Sequence, residues 1–317
     1  MTSNSNNNGR GFEYICLLSL YEAIKEVRTA QILQDSSYQA AEKAWLELAP
    51  QQQALYTLSA KSTIDTIFSL EPNIIESTPD ILTLYIQRDT RGEDADVRDI
   101  IIERKDIKWE IGLSIKHNHL AAKHSRIARH LDFGEKWYGV KCSQEYWNEI
   151  KPTFDFLEQE KNKGTYFRDL KSKEEDVYIP LLQAFSNEIT RQIEAHPDIP
   201  SKLVEYLLSK YDFYKVISID KQRRTIIEAF DMYGTLNKAS NEKEPDIKIS
   251  PIELPTTLLH IGFKPKSQTT ILLCFDNGWQ FSFRIHNAKD IIETSLKFDI
   301  QIVGMPTEVN IKFTCNW

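Results

Sequence analysis

The stretch Asp99-Ile-Ile-Ile-Glu-Arg-Lys-Asp-Ile-Lys-Trp-Glu-Ile-Gly-Leu-Ser-Ile-Lys116 decides the expected fold of this chain. Its apolar runs, 100–102 and 109–116, lie on either side of the polar pair Lys105-Asp106, a pattern that predicts a β-hairpin. In that hairpin Asp99 lies across from the 112–114 segment. Side chains alternate between the faces of a strand, and one face of the second strand carries Glu110, Gly112, Ser114 and Lys116. The sequence therefore predicts that acids and a lysine meet at one end of a hairpin.

This set of residues suits the hydrolysis of a phosphodiester. Carboxylates such as Asp99 and Glu110 hold Mg²⁺, which polarises the phosphate and acidifies a water. An ammonium such as that of Lys116 stabilises the developing charge or orients the water, and the small Gly112 lets a phosphate approach the sheet. The alternative is that Glu110 and Lys116 form an ordinary solvated pair and that Asp99 only ends a loop.

The segment that follows, 111–131, is basic and contains no Asp or Glu. Its apolar residues predict a helix over 118–131 with one buried face. Cations and hydrogen-bond donors of this kind bind DNA phosphates. The candidates for DNA contact here are His117, Asn118, His119, Lys123, His124, Ser125, Arg126 and Arg129. The alternative, a solvated helix face, explains the absence of acids less well.

The rest of the chain predicts an α/β protein. Helical spacing covers 11–27, where Gly9 and Gly11 mark the start, and 37–70, where Pro50 breaks the helix. We expect a mixed sheet core flanked by helices over 1–145, a helical region over 146–212 and a β-rich region over 213–317.

The β-rich region is marked by Asp276-Asn277-Gly278, because Asn-Gly is the strongest short hairpin signal. The strand after it alternates strictly, so that Gln280 and Arg284 lie on a polar face. Arginine reads guanine in the major groove, and we expect these two side chains to contribute to DNA recognition. The alternative is that they form the ordinary polar face of a half-exposed sheet.

Composition sets outer limits on the function. The 317 residues are 41% hydrophobic and 27% charged, which excludes a disordered chain. The formal charge of −7 excludes a uniformly basic surface, and four scattered cysteines disfavour a zinc site or a disulfide framework. The polar N-terminus and the short apolar runs predict a cytoplasmic protein with no membrane span.

Particular blocks of the sequence resemble a known family. Asp99 and Ser114-Ile-Lys116 resemble the core of the PD-(D/E)xK nucleases. Four longer blocks are similar to the HaeIII-type family of type II restriction endonucleases, over nearly the full length: Asn8-Gly-Arg-Gly-Phe-Glu-Tyr14, Trp109-Glu-Ile-Gly-Leu-Ser-Ile-Lys-His-Asn-His119, Lys123-His-Ser-Arg126 and Ser295-Leu-Lys-Phe-Asp299.

The resemblance implies a restriction-endonuclease-like fold and a Mg²⁺-dependent enzyme that cuts double-stranded DNA at GGCC. It assigns Asp99 to the metal and Lys116 to catalysis. Ser114 stands at the acid position of the triplet and departs from the pattern, so Glu110 is our substitute ligand. Glu13 resembles the helix-borne glutamate that many such nucleases direct at the metal, although an exposed helix glutamate is an equally good interpretation.

Four hypotheses therefore follow from the sequence. The first is a type II restriction endonuclease, for which a palindromic target favours a homodimer. The second is a structure-specific or repair nuclease without sequence specificity, and the third is a noncatalytic DNA-binding protein in which Ser114 reflects a decayed site. The fourth, a structural protein without DNA affinity, fits least well because 111–131 contains no acid.

Overall fold

The computed structural model describes residues 2–88, 96–117, 125–309 and 312–317, with side chains from residue 7 onward. Its α-helices are α1 Thr2–Ile24, α2 Ser36–Leu46, α3 Pro50–Ser62, α4 Ile64–Leu70, α5 Phe133–Tyr138, α6 Gln144–Asn162, α7 Ile179–Ala195 and α8 Ile199–Leu207. Its strands are β1 Ala30–Ile32, β2 Leu82–Ile86, β3 Ile100–Arg104, β4 Trp109–His117, β5 Arg126–Ala128, β6 Phe213–Ile219, β7 Arg224–Phe230, β8 Leu258–Phe263, β9 Thr270–Phe275, β10 Gln280–His286, β11 Ser295–Gly304 and β12 Lys312–Asn316. The fold is α/β, as the sequence predicts.

The chain forms two compact units. The first comprises Met1–Leu120, Ser209–Ile252 and Thr307–Trp317, and the second comprises Ala121–Leu208 and Glu253–Pro306. These limits differ from the contiguous regions expected from the sequence. The reason is that β6 pairs with β4 in parallel, and a parallel pair needs a long crossover connection. The segment between β4 and β6 is that connection, and its helices α5 to α8 belong to the second unit.

The first unit is built on a seven-stranded mixed sheet in the order β1-β2-β3-β4-β6-β7-β12. The predicted hairpin is confirmed: β3 and β4 are antiparallel, with Ile100 opposite Leu113. One face of the sheet is apolar and packs against α1 and the helices that follow it. The other face carries Ser114 and Lys116.

Helix α1 begins earlier than the glycines suggest. It runs from Thr2 through Gly9 and Gly11 to Ile24, so neither glycine marks its start. Gly11 serves packing instead, because a Cβ there would lie 2.7 Å from Leu48 Cδ1. The break at Pro50 is confirmed, since α3 begins at that residue.

The second unit holds a five-stranded sheet in the order β5-β11-β10-β9-β8. The predicted alternation is confirmed, since Trp279, Phe281 and Phe283 are fully buried. The turn is confirmed as well, with Asn277 at φ 54° and Gly278 at φ 85°.

Two elements contradict the sequence expectation. Residues 126–128 form a strand that pairs with 295–297, and not part of a helix. Residues 312–316 pair with β7 and so complete the first sheet rather than the C-terminal one. Both pairings join segments far apart in sequence, which local patterns do not reveal. Within the described ranges, no helix is long and apolar enough to cross a membrane.

Candidate active site

Asp99 lies where β3 begins, and its backbone N–H donates to the carbonyl of Leu113 at 2.8 Å. Its Oδ2 accepts three hydrogen bonds from β4, from the Ile115 N–H at 2.6 Å, the Lys116 ammonium at 2.9 Å and the Ser114 hydroxyl at 3.4 Å. The same strand therefore holds the carboxylate and supplies its cation. The other oxygen, Oδ1, accepts no hydrogen bond from the residues that the structure describes.

The Lys116 side chain is 30% exposed and that of Asp99 is 24% exposed, so the pair is accessible from solvent. Burial lowers the pKa of Lys116, but the Asp99 carboxylate and, more weakly, that of Glu13 outweigh it. The pKa of Lys116 is raised as a result. The ammonium is charged at neutral pH.

Glu13, on α1, lies near this pair. Its charge acts on Lys116, and the Cys16 thiol one helical turn further on senses both carboxylates, since burial, then Glu13, then Asp99 raise the pKa of Cys16. Glu13 also lines a small cavity with Ile86 and Gln87, at the end of β2. The charges of Glu13 and Asp99 thus act on the same two side chains, Lys116 and Cys16.

Glu110 does not join this cluster, contrary to the sequence expectation. Its Oε1 accepts from the Arg98 guanidinium at 2.8 Å, and Arg98 also donates twice to Asp96 at 2.9 Å. Four residues separate Glu110 from Ser114, which is about 13 Å along a strand. Gly112 lies between them, and a Cβ there would lie 2.0 Å from Arg98 Cδ. The glycine therefore accommodates Arg98 rather than a phosphate.

A row of polar residues crosses the sheet beside Asp99. The register places Ser114 next to Lys215, Lys215 next to Glu228 and Glu228 next to Lys312. Lys215 is buried, and its ammonium has no hydrogen-bond partner among the described residues. Burial, followed by the charges of Lys116 and Lys312, lowers the pKa of Lys215, and Glu228 opposes this. The site thus carries a second lysine where the acid of the triplet is missing.

The donor set suits Mg²⁺ even though it is sparse. Among the described residues no three His, Cys, Asp or Glu side chains form a preformed metal cluster. Mg²⁺ is commonly bound by one or two carboxylates, with waters and substrate phosphates completing the shell. Asp99 Oδ1 and the carboxylate of Glu13 would be two such ligands, and the Ser114 hydroxyl would be a poor one.

Two predicted DNA contacts are occupied by other interactions. His117 lies on the opposite face of β4 from Lys116, where its Nε2 is 2.7 Å from Asp220 Oδ2 and its Nδ1 is 3.2 Å from the Tyr56 hydroxyl. Ser125 is buried, with its hydroxyl 3.0 Å from that of Tyr206. Neither position supports the predicted contact with a phosphate.

The other predicted contacts are at the surface or outside the described residues. Arg126 is 45% exposed and donates to Ser295, and Arg129 pairs with Asp155 at 2.8 Å. Arg284 is exposed and lies 3.5 Å from Asp299, on the polar face of β10 that also carries Gln280. Asn118, His119, Lys123 and His124 lie outside the described residues.

A mixed sheet flanked by helices, with an aspartate bonded to a lysine on the adjacent strand, defines a restriction-endonuclease-like protein. The comparisons with known proteins agree. The model of the HaeIII restriction endonuclease family matches residues 9–306. The type II restriction enzyme HaeIII of Haemophilus aegyptius is 46% identical over 310 residues, which is 98% of this chain and 97% of that protein. The chain therefore belongs to the HaeIII restriction endonuclease family. No solved structure matches it significantly.

Sequence reasoning missed Arg98 and Lys215. Arg98 directly precedes Asp99 in the sequence, so its position beside the predicted hairpin could have been inferred. Lys215 reaches Ser114 only through the parallel pairing of β4 and β6. No local sequence pattern predicts a pairing between residues that are about a hundred positions apart.

Proposed function

We propose that this chain is a type II site-specific deoxyribonuclease that hydrolyses both strands of double-stranded DNA in the presence of Mg²⁺, at the palindrome GGCC. The observation that carries the proposal is the 2.9 Å contact between Lys116 and Asp99 on adjacent strands. Membership in the HaeIII restriction endonuclease family supports it.

Asp99 and Glu13 are the residues that we assign to the metal. Three β4 donors hold Asp99 Oδ2, which fixes the carboxylate. When bound, Mg²⁺ polarises the phosphate and lowers the pKa of a water. Glu110 is withdrawn as the second ligand, because it is bonded to Arg98.

Lys116 acts on the phosphate. Its charged ammonium donates to a non-bridging oxygen of the scissile phosphate, where negative charge grows in the transition state. A water oxygen forms a bond to phosphorus, and the bond from phosphorus to the 3′-oxygen breaks. The water's proton is released and the 3′-oxygen is protonated, which leaves a 5′-phosphate and a 3′-hydroxyl.

Lys215 is a second lysine on the same face. Its carboxylate neighbour is Glu228 on β7, and because Ser114 is neutral, β4 adds no further carboxylate beside it. This arrangement attracts a negatively charged DNA backbone towards Lys116, even though the chain as a whole has a formal charge of −7.

Digestion of a plasmid of known sequence, with and without Mg²⁺, tests the proposal. We expect discrete fragments that end at GGCC, and none when the metal is chelated. A smear would indicate a nuclease without sequence specificity. An intact plasmid at every Mg²⁺ concentration would contradict the proposal.

One observation favours a second candidate, a noncatalytic DNA-binding protein. Ser114 replaces the acid of the triplet, which leaves two carboxylates for the metal. Salt-sensitive binding of a GGCC duplex without any cleavage would identify this function.

We also propose that two copies act together on DNA. A palindrome has two-fold symmetry, and a C2 dimer presents one active site to each strand. Sedimentation of the protein with a GGCC duplex in Ca²⁺ measures this, and a complex of one chain per duplex would exclude it.

A further inference from the structure

A cavity of about 480 Å³ opens at the other end of β4, inside the first unit. Three segments form it: the β3–β4 turn, the start of β6 and the loop after β7. Its walls include the aromatic side chains of Trp109, Tyr211 and Tyr233, and three lysines, Lys108, Lys210 and Lys238. Pockets of this size commonly hold small ligands.

The lysines are exposed, and no carboxylate among the described residues lies within ion-pair distance of them. The two acids that also line the cavity are engaged. Asp212 accepts four hydrogen bonds from 232–235, and Glu110 is bonded to Arg98. The cavity therefore has an excess of positive charge.

The aromatic walls are held in place and remain partly open. The Arg98 guanidinium lies 4.1 Å from the centroid of the Tyr211 ring and fixes it on one side. Tyr211 and Tyr233 are each 43% exposed. Aromatic rings of this kind stack on nucleic-acid bases.

We propose that this cavity binds a nucleotide, with its base against the tyrosines and its phosphate on the lysines. Lysines bind phosphate as point charges, and aromatic rings with cations are the usual elements of single-nucleotide recognition. The ligand is a free nucleotide or a nucleotide of the DNA substrate. The cavity adjoins the active site through Arg98, which lines it and directly precedes Asp99, but its tyrosines and lysines lie on other segments of the chain.

Calorimetric titration of the full chain with deoxyadenosine monophosphate, without Mg²⁺, tests the site independently of cleavage. We expect saturable binding, weakened about tenfold or more in Lys210→Ala/Lys238→Ala and for adenosine, which lacks the phosphate. Tyr211→Leu is expected to weaken it about fivefold or more. The control Lys221→Ala/Lys264→Ala removes two exposed lysines elsewhere and leaves the affinity unchanged.

Photocrosslinking with the azido derivative of the same nucleotide locates the site even where a variant fails to fold. We expect labelled peptides from 208–212 or 232–238. Absence of saturable binding up to about 10 mM, equal affinity of the lysine variant and the control, or labelling elsewhere would overturn the proposal.

Competition with DNA separates the two sources. If the nucleotide belongs to the substrate, a GGCC duplex with flanks of about ten base pairs displaces the labelled nucleotide, and one with flanks of about two does so less well. If it is a free nucleotide, neither duplex competes. Both outcomes keep the nucleotide site and differ only in its source.

Discussion

The two ends of the β3–β4 hairpin both carry ion pairs, but in opposite environments. At the C-terminal end of β3, Arg104 is 1% exposed and bonds to Glu76, Asp80 and Thr78 at 2.5–2.9 Å. At the other end, Asp99 and Lys116 are 24% and 30% exposed, and a single 2.9 Å contact joins their charged groups. The first cluster is closed, and the second is open to solvent.

This difference separates a cluster that stabilises the fold from a pair that is available for catalysis. In the Arg104 cluster the guanidinium donates through all three nitrogens, so it offers nothing to a ligand. In the Asp99 pair Oδ1 accepts nothing from the described residues. A buried network is costly to break, whereas an open pair supplies atoms to a metal and a phosphate.

The largest expected effect is that of Asp99→Asn on cleavage. The amide binds Mg²⁺ poorly and also loses the charge that holds Lys116, so the cleavage rate should fall by about 10³-fold or more. Single-turnover assays of a GGCC duplex measure it. The control Asp106→Asn, at the exposed hairpin turn, should keep the normal rate, and a similar loss in both variants would contradict the assignment.

Next comes Arg104→Met, which acts on stability. It leaves the buried Glu76 without its cation and Asp80 with Arg28 alone, so the free energy of unfolding should fall by about 3–5 kcal/mol. Denaturant titration measures it, with the exposed Lys105→Met as a control that costs less than about 1 kcal/mol. Cleavage per folded molecule should be unchanged, and a stable but inactive Arg104→Met protein would reverse our interpretation of the hairpin.

The buried carboxyl of Glu71 gives a pH-dependent test of the contrast between closed and open charged groups. Burial raises its pKa from 4.5 to about 7, against hydrogen bonds from Tyr214 and Asn237, and its Oε2 is buried without a partner. The pKa of Glu71 is higher in the folded chain than in the unfolded chain, so Glu71 contributes its full stabilisation of the fold below pH 4.5. That contribution is lost as the pH rises through 7.

Unfolding of wild type and Glu71→Gln at several pH values therefore has a defined outcome. The stability of the variant relative to wild type should rise by about 3 kcal/mol between the two ends of that window. A difference that is constant with pH would show that the pKa of Glu71 is the same in the folded and the unfolded chain.

The smallest expected effects are those that decide whether Glu13 or Glu110 is the second metal ligand. Glu13→Gln should raise the Mg²⁺ concentration for half-maximal cleavage about tenfold, because it removes one of two proposed ligands. Glu110→Gln loses only a half-exposed ion pair with Arg98, so a change of about threefold or less is expected. If Glu110→Gln has the larger effect, Glu110 is the metal ligand and the Arg98 contact gives way when metal binds.

The sequence predicted the hairpin and the contact between Asp99 and Lys116, because both follow from period-two alternation near a turn. It failed on Glu110, because two residues on the same face of a strand are about 13 Å apart when they are four positions apart in the sequence. It also predicted a helix through 126–128, where the apolar Ile127 is buried by pairing with β11. The location of Lys215, and the cavity formed by three distant segments, depend on long-range pairing that alternation does not encode.

Lys116→Met tests the central claim most directly, because it removes the charge and nearly preserves the length of the side chain. Single-turnover cleavage and duplex binding in Ca²⁺ should be measured on the same preparation. We predict that cleavage falls by about 10³-fold while binding changes by about tenfold or less. Cleavage at the normal rate, with Mg²⁺ and at GGCC, would contradict the assignment of the active site to Asp99 and Lys116.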